Sequence, residues 1–338
     1  MLFRSRRIGQ SLLDRGLSAE RPLMVLSGND IEHALLIHAA MYVGIPYAPV
    51  SPAYSLAVKE FHRLCEIKNV VQPGLIFANN LAAFLPALAA AGCAGTELVS
   101  SVACADVAST SFEQLVQTPE TAAVDEANRK VNGETVAKIL FTSGSTSVPK
   151  GVINTQRMLC SNQAMILGML PCFADEHPVT VDWLPWHHTF GGNHNLGIFL
   201  HNGGTMYIDE GRPAPGAFGP TAENLKEIAT TVYFNVPKGY EELVAYMKRD
   251  AALRERFFSR IKLIFYAAAS LSQQVRDELE RLAVETTGER IAMVSAFGST
   301  ETAPFALCPV KQSSKAGFIG LPSPGVRLKL VPSGDKLE

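Results

Sequence analysis

Short apolar segments rich in β-branched and aromatic residues alternate along this chain with longer segments of helical periodicity. This alternation is typical of βαβ units, in which helices cover a mainly parallel sheet. The sequence therefore predicts an α/β fold. The predicted strands are Pro22–Leu26, Pro46–Val50, Leu75–Phe77, Ala137–Phe141, Val179–Leu184, Thr205–Ile208, Thr231–Asn235, Ile261–Tyr266 and Ile291–Ala296.

The segments between these strands are predicted to be helices that cover the sheets. Asp30 and Ser272 precede two of them, and both residue types accept hydrogen bonds from the first free amides of a helix. Residues 102–132 are rich in Ser, Thr, Ala and acidic side chains and lack apolar periodicity, so we interpret them as a connection between two lobes. The predicted divisions are a first lobe over residues 1–130, a second over 131–305 and the start of a third subdomain over 306–338.

Composition excludes several classes of protein. The 338 residues include 30 Lys and Arg against 32 Asp and Glu, so there is no positive field to bind a nucleic acid. The six cysteines form no C-x-x-C pair, which indicates neither a disulfide framework nor a zinc site and favours a cytoplasmic location. Residues 34–58 lack charges, but Gly44, Pro46 and Pro49 interrupt any helix that could insert into a membrane.

The densest cluster of hydroxyl and glycine residues directly follows the predicted strand that ends at Phe141. It is Thr-Ser-Gly-Ser-Thr-Ser-Val-Pro-Lys-Gly, residues 142–151. Amides and hydroxyls in such a loop can converge on phosphate oxygens, and a lysine adds positive charge. It is not the P-loop of NTPases, and a flexible polar loop is the alternative interpretation. The predicted phosphate contacts are Thr142, Ser143, Gly144, Ser145, Thr146 and Lys150.

This segment resembles the signature [ST]-[ST]-G-[ST]-T-G-x-P-K-G of the AMP-forming adenylating enzymes, among them the acyl-CoA synthetases. Ser147 stands where the signature has its second glycine. If that position requires a positive φ, the serine costs about 1 kcal/mol. The resemblance implies the large N-terminal domain of these enzymes, which has two mainly parallel sheet-plus-helix lobes. It also implies ATP and Mg²⁺ as cofactors and coenzyme A as a co-substrate.

Residues 184–192 are similar to the P-x-x-H-x-x-G segment of the same family, with Pro185, His188 and Gly191 as the matches. The resemblance implies that His188 lies beside the acyl carboxylate and Phe190 against the acyl chain. An imidazole suits that place because it can donate to a carboxylate oxygen. Four histidines within residues 187–201 could suggest a metal, but no H-E-x-x-H motif accompanies them.

Three alanines follow the predicted strand that ends at Tyr266, and they look like the G-A-A-P-L stretch of the family. Small side chains let a flat purine approach the backbone. The resemblance implies that Ala267, Ala268 and Ala269 lie along the adenine ring.

Residues 297–301, Phe-Gly-Ser-Thr-Glu, resemble the Y-G-x-T-E motif. The resemblance implies that Phe297 stacks on adenine, that Thr300 contacts the α-phosphate and that Glu301 holds the Mg²⁺ ion. Gly298 is implied to be part of the same nucleotide site. A phenylalanine in place of tyrosine keeps the stacking face and loses only the phenol hydroxyl. The implied catalytic residues of the chain are His188, Lys150, Thr300 and Glu301.

Four stretches look most similar to feruloyl-CoA synthetases: YVGIPYAPVSPAYS, INTQRML, WLPWHHTFGGNHN and FNVPKGY. The resemblance implies a hydroxycinnamate substrate such as ferulate. Asn235, Val236 and Tyr240 have side chains compatible with such an acyl pocket, as does Phe190. Another aryl acid or a fatty acid is the alternative.

A fifth motif, residues 317–325, is similar to the G-x-x-G-x-P-x-P-G stretch that precedes the ribose-binding segment of the family. In the family a hinge and a mobile C-terminal domain with a catalytic lysine follow. We therefore expect this chain to be a fragment, truncated at both ends and poorly active alone.

The resemblance implies a two-step reaction. The carboxylate attacks the α-phosphate of ATP to give acyl-AMP and pyrophosphate, and the thiol of CoA then displaces AMP. A non-catalytic module that binds nucleotide or acid is one alternative. An acyl hydrolase of another α/β fold is the other, but it needs a G-x-S-x-G elbow that the sequence lacks.

Overall fold

A computed structural model describes residues 2–142, 149–214, 216–309, 317–333 and 336–337. The chain divides into two compact units. Unit 1 comprises Met1–Cys160 with Pro185–Gly192, and unit 2 comprises Ser161–Leu184 with Asn193–Glu338. Unit 1 thus continues past residue 130, and the division into lobes given above stays a prediction.

Unit 1 is built on a seven-stranded sheet with the strand order β5-β4-β3-β1-β2-β6-β7. Every neighbouring pair is parallel except β6 and β7, which are antiparallel. The residues of β1, β2 and β3 are all buried, as expected for central strands covered on both faces. The strands are β1 Leu23–Val25, β2 Tyr47–Pro49, β3 Leu75–Phe77, β4 Glu97–Ser100, β5 Thr110–Ser111, β6 Val136–Thr142 and β7 Lys150–Thr155.

Helices of unit 1 carry apolar residues toward this sheet, and Leu64, Ile67 and Leu81 are fully buried in one such cluster. The helices are α1 Leu2–Asp14, α2 Ile31–Tyr42, α3 Ala53–Leu56, α4 His62–Val71, α5 Leu85–Ala90, α6 Phe112–Gln117 and α7 Ala122–Lys130, with a 3₁₀ turn at Leu81–Phe84.

Unit 2 contains a parallel sheet of β10, β11 and β12 and a parallel pair of β8 and β9. The amide of Thr231 donates to the carbonyl of Val179, which places β8 beside β10. The strands are β8 Val179–Asp182, β9 Thr205–Ile208, β10 Val232–Asn235, β11 Leu263–Tyr266, β12 Ala292–Ser295, β13 Phe297–Gly298, β14 Phe305–Cys308, β15 Leu321–Pro322, β16 Pro332–Ser333 and β17 Lys336–Leu337. Of these, β13, β14 and β15 form a small antiparallel sheet, and β16 and β17 form a hairpin.

The core of unit 2 lies between its parallel strands and helices, where Phe218, Leu243 and Phe257 are fully buried. A 3₁₀ turn occupies Thr300–Thr302 and a π-helical turn Phe190–Asn195. The remaining helices are α8 Gln156–Met169, which begins in unit 1, α9 Cys172–Asp175, α10 Leu196–His201, α11 Gly219–Glu227, α12 Pro237–Met247, α13 Ala251–Phe258 and α14 Gln273–Thr287.

The α/β fold is confirmed, and all nine predicted strands are present. The two predicted caps are also confirmed, because Asp30 accepts from the amide of His33 and Ser272 from that of Val275. In the part of the chain that the structure describes, no helix is both long and apolar enough to span a membrane. All six cysteines are free thiols.

One strand was missed and one prediction of local structure was wrong. The missed strand is β7, which directly precedes α8 and pairs with β6. The segment 102–132 is not a plain connection, since it contains β5, α6 and α7. Its two helices are capped by Ser111 and Thr121 and bury few apolar side chains, which is why their periodicity is weak.

Candidate functional site

The carboxyl ends of three parallel strands in unit 2 lie side by side. Asn235, Tyr266 and Ser295, the last residues of β10, β11 and β12, are paired across the sheet. The segments predicted to contact the acyl group, the adenine and the phosphate each begin within two residues of this row. Ligands of open α/β sheets bind at such carboxyl edges.

The alanine segment after β11 has an unusual backbone. Ala268 has a φ of 73°, in the left-handed region that a side chain with a Cβ disfavours. Ala267 is half-buried, whereas Ala268 and Ala269 are exposed. A strained and exposed stretch of small residues at a strand end is the kind of surface against which a flat ring can lie.

The segment Phe297–Glu301 after β12 is exposed to solvent, and its backbone packs closely against Pro304 at Gly298. The Phe297 side chain is 52% exposed, and Glu301 is exposed in the 3₁₀ turn. A Cβ on Gly298 would meet the carbonyl oxygen of Pro304 at 1.8 Å, so only glycine fits there. Thr300 is half-buried. This part of unit 2 thus presents an aromatic face, a hydroxyl and a carboxylate on one short stretch.

Asn162 of α8 holds the residues that follow this turn. Its Nδ2 donates to the carbonyls of Thr302 and Phe305 at 3.0 and 3.1 Å, and its Oδ1 accepts from the amide of Phe305 at 3.0 Å. The side chain is 3% exposed. The sequence analysis missed this residue, since an asparagine in the interior of a helix gives no signal of a contact 140 residues away.

The predicted acyl residues of unit 2 have little free surface. Asn235 is fully buried, donates to the Tyr233 hydroxyl and accepts from the amide of Val236. Tyr240 is also fully buried, and its hydroxyl donates to the carbonyls of Tyr233 and Phe265. Val236 is half-buried. The structure therefore places Asn235 and Tyr240 in the core, and their predicted contact with an acyl group stays a prediction.

A buried polar group lies at the end of β8. The carboxylate of Asp182 accepts from Asn195 Nδ2 at 2.8 Å and from the amide of Leu184 at 2.9 Å. Burial raises the pKa of Asp182 to about 7. Asn195 Oδ1 in turn lies 2.9 Å from Nδ1 of His194, whose pKa burial lowers to about 4. His194 packs against Phe265 with 4.7 Å between ring centres and is a core histidine.

In unit 1, the strands β6 and β7 bracket the predicted phosphate loop. Thr142 at the end of β6 is paired with Lys150 at the start of β7. Thr142 is half-buried and Lys150 is exposed. Four other predicted phosphate contacts lie outside the described residues: Ser143, Gly144, Ser145 and Thr146.

The segment Pro185–Gly192 folds as a compact turn of unit 1. The amide of His188 donates to the carbonyl of Pro185 at 3.0 Å, and the amide of Gly192 donates to the carbonyl of His188 at 2.8 Å. His188 is exposed and Phe190 is buried. The pKa of His188 is lowered because neighbouring groups displace part of its water, so the imidazole is neutral near pH 7 and can donate or accept.

Several predicted residues thus come together within each unit. Unit 2 places the alanine segment and residues 297–301 at adjacent strand ends, and unit 1 pairs Thr142 with Lys150. Among the residues that the structure describes, no group of three His, Cys, Asp or Glu side chains could hold a metal ion.

The profile of the AMP-binding enzyme family matches residues 2–337, and the chain belongs to this family. A probable CoA ligase of Humulus lupulus is 27% identical over 215 residues, 60% of this chain and 34% of that protein. The oxalate–CoA ligase of Arabidopsis thaliana is 26% identical over 318 residues, 91% of this chain and 57% of that protein. The chain thus spans between one third and three fifths of these relatives.

A solved structure shares the fold. The benzoate CoA ligase from Burkholderia xenovorans LB400 matches with a TM-score of 0.78 and 17% identity, over 98% of this chain and 63% of that one. The chain therefore has the same α/β fold as this CoA ligase.

Proposed function

We propose that this chain takes part in the ATP-dependent activation of a carboxylic acid to an acyl-AMP and then to an acyl-CoA. The carrying observation is the paired row of Asn235, Tyr266 and Ser295, from which three motif segments of an AMP-binding family member emerge at one sheet edge. The names of the two relatives, both CoA ligases, support CoA as the acceptor.

The proposed roles in unit 2 follow from side-chain chemistry. Ala267, Ala268 and Ala269 would border the adenine, and the exposed ring of Phe297 would stack on it. The hydroxyl of Thr300 would donate to the α-phosphate. Gly298 fits as the residue that lets the backbone fold tightly beneath them.

The donor set of this turn fits Mg²⁺ bound together with a nucleotide. Mg²⁺ is held by one or two carboxylates together with substrate phosphates and waters, and Glu301 offers one exposed carboxylate. When bound, the ion neutralises charge on the phosphates. A cage made only of protein ligands is not required.

The proposed roles in unit 1 concern the triphosphate and the acid. Lys150, exposed at the start of β7, would supply positive charge to the β- and γ-phosphates, and the hydroxyl of Thr142 on the paired strand would donate a hydrogen bond to them. His188 would donate to the carboxylate of the acid, and Phe190 would pack near its chain. The carboxylate oxygen then forms a bond to the α-phosphorus, and the bond to pyrophosphate breaks.

The proposed acid is a hydroxycinnamate such as ferulate. Support comes from the four sequence stretches that resemble feruloyl-CoA synthetases, two of which contain His188 and Val236. A synthetase for another aryl acid or for a fatty acid is the second candidate.

Acid-dependent ATP–pyrophosphate exchange tests this proposal, with a panel of cinnamic, benzoic and fatty acids. Exchange with ferulate and its close analogues alone supports both the reaction and the acid. Exchange with other acids alone supports the reaction and rejects ferulate. Nucleotide binding without exchange for any acid would reject the proposed reaction and favour a non-catalytic binding module.

A further inference from the structure

A lysine is buried on β6, the second strand from one edge of the sheet of unit 1. Lys138 of β6 is 1% exposed and is paired with Tyr47 of the neighbouring strand β2. Its Nζ donates to the backbone carbonyl of Gly192 at 3.1 Å and lies 5.0 Å from the centre of the Tyr47 ring. Burial lowers the pKa of Lys138 to about 7.

The ionisable groups that interact with Lys138 are two imidazoles and a phenol, not acids. Burial lowers the pKa values of His33 and His38 of α2 and raises that of Tyr47. Among the described residues, no carboxylate lies within ion-pair distance of Lys138. A buried amine without an acidic partner is unfavourable, so the contact that it does make has to be accounted for.

That contact fixes one end of the segment that carries His188. The other end is held at Trp186, whose amide donates to Asn29 Oδ1 at 2.9 Å. The Trp186 and His33 rings pack in an edge-to-face arrangement with 5.3 Å between their centres. Between these ends, the carbonyl of His188 accepts from the amide of Gly192, the residue that Lys138 holds.

Gly192 is confined as well as held. A Cβ at this position would meet the carbonyl oxygen of Trp186 at 2.2 Å, so the two ends of the turn touch through their backbones. A displacement of Gly192 is therefore passed directly to the turn around His188.

We propose that Lys138 is a positioning residue: its amine holds the carbonyl of Gly192 and thereby sets the place of His188. The effect on the acid rests on the proposed function, whereas the effect on the turn does not. An amine donates a hydrogen bond in both its charged and its neutral form, so the contact does not require the lysine to be ionised.

Amide hydrogen exchange of Lys138→Met tests the structural part. Methionine keeps a similar apolar stem and removes the donor. We expect the amides of His188 and Gly192 to exchange about tenfold faster than in the parent chain, while those of β1 keep their rates. The control is Lys130→Met, the same substitution at an exposed lysine at the end of α7.

Two results would overturn the proposal. One is an unchanged exchange rate of the His188 and Gly192 amides relative to Lys130→Met. The other is an equal acceleration in β1, which would indicate general destabilisation. If Lys138→Met does not fold, Lys138→Gln replaces it, because its amide is one bond too short to reach Gly192 and the same local acceleration is expected.

Kinetics separate positioning from a merely structural role. Lys138→Met should raise the KM for the acid about fivefold or more and leave the KM for Mg·ATP within twofold. In a His188→Ala background, the same substitution should have no further effect on the acid, because the two residues act through one contact. Independent, additive effects would reject positioning through His188. If no variant has activity, the exchange rates still decide on Lys138 and only the proposed function fails.

Discussion

Replacing Asn162 with alanine would remove three hydrogen bonds at once, two of them buried and one partly buried. The side chain bonds the carbonyls of Thr302 and Phe305 and the amide of Phe305, all within 3.1 Å. Water has little access to the Asn162 side chain, which is only 3% exposed. The substitution therefore takes the Asn162 contact from all three backbone groups, including both buried bonds to Phe305.

The expected cost follows from these three bonds. A buried backbone group that loses its partner costs about 1–3 kcal/mol, so the free energy of unfolding should fall by about 3–5 kcal/mol. For units of this size that corresponds to a decrease in Tm of about 10 °C. The cost should be accompanied by faster amide exchange in residues 299–305, since the 3₁₀ turn of Glu301 depends on the same anchor.

Urea and thermal unfolding followed by circular dichroism measure this cost. The matched control is Asn202→Ala, which removes a single bond, from Asn202 Nδ2 to the carbonyl of Ile198 at 2.8 Å, and should cost about 1 kcal/mol. If Asn162→Ala is no more destabilised than this control, the interpretation of Asn162 as the anchor is refuted.

A second substitution sharpens the test. Asn162→Asp keeps the acceptor for the amide of Phe305 but turns a carboxylate oxygen toward two carbonyls. It should be at least as destabilising as alanine at pH 8. Part of the stability should return on acidification, because the protonated acid regains one donor. A pH-independent cost would contradict this account.

Three further predictions concern other positions. Lys150→Ala and Glu301→Ala should each raise the KM for Mg·ATP about tenfold or more, because each removes a charge proposed to act on the phosphates; unchanged nucleotide affinity in both would reject these assignments. Burial raises the pKa of Asp182 to about 7, so the folded chain keeps a proton that the unfolded chain releases above about pH 4. The free energy of unfolding should therefore fall as the pH rises from 4 through 7. Unfolding measured across this range should show a smaller change of free energy with pH in Asp182→Asn than in the parent chain. Gly298→Ala should lower Tm by several degrees because its Cβ would meet a carbonyl oxygen at 1.8 Å, whereas Gly168→Ala, a helix position with nothing within 4 Å, should leave Tm unchanged or raise it.

The strands were predictable because each central strand is a short apolar run between turn residues. The strand β7 was not, because its only apolar residues, Val152 and Ile153, form too short a run to predict a strand, and it is stabilised by pairing with β6. Strand propensity is read from neighbouring residues in the sequence, whereas β7 depends on its pairing with another strand.

The sequence motifs predicted the segments of the candidate site but not the side chains that hold these segments in place. Asn162 and Lys138 act through contacts with residues far along the chain, and no local pattern encodes those. A charged residue inside the apolar run Val136–Phe141 was the one available signal for Lys138. Conversely, Tyr240 has a suitable side chain for an acyl pocket, but its burial depends on packing that the sequence alone does not specify.

Thr142 and Lys150 are antiparallel partners on β6 and β7, the last two strands at one edge of the sheet. The spacing between these two residues is therefore set by the pairing of the strands and not by the number of residues between them in the sequence. A doubling of that number would cost only about 0.6 kcal/mol in chain entropy. Insertions and deletions between positions 142 and 150 should thus be tolerated while Lys150 keeps its place on β7.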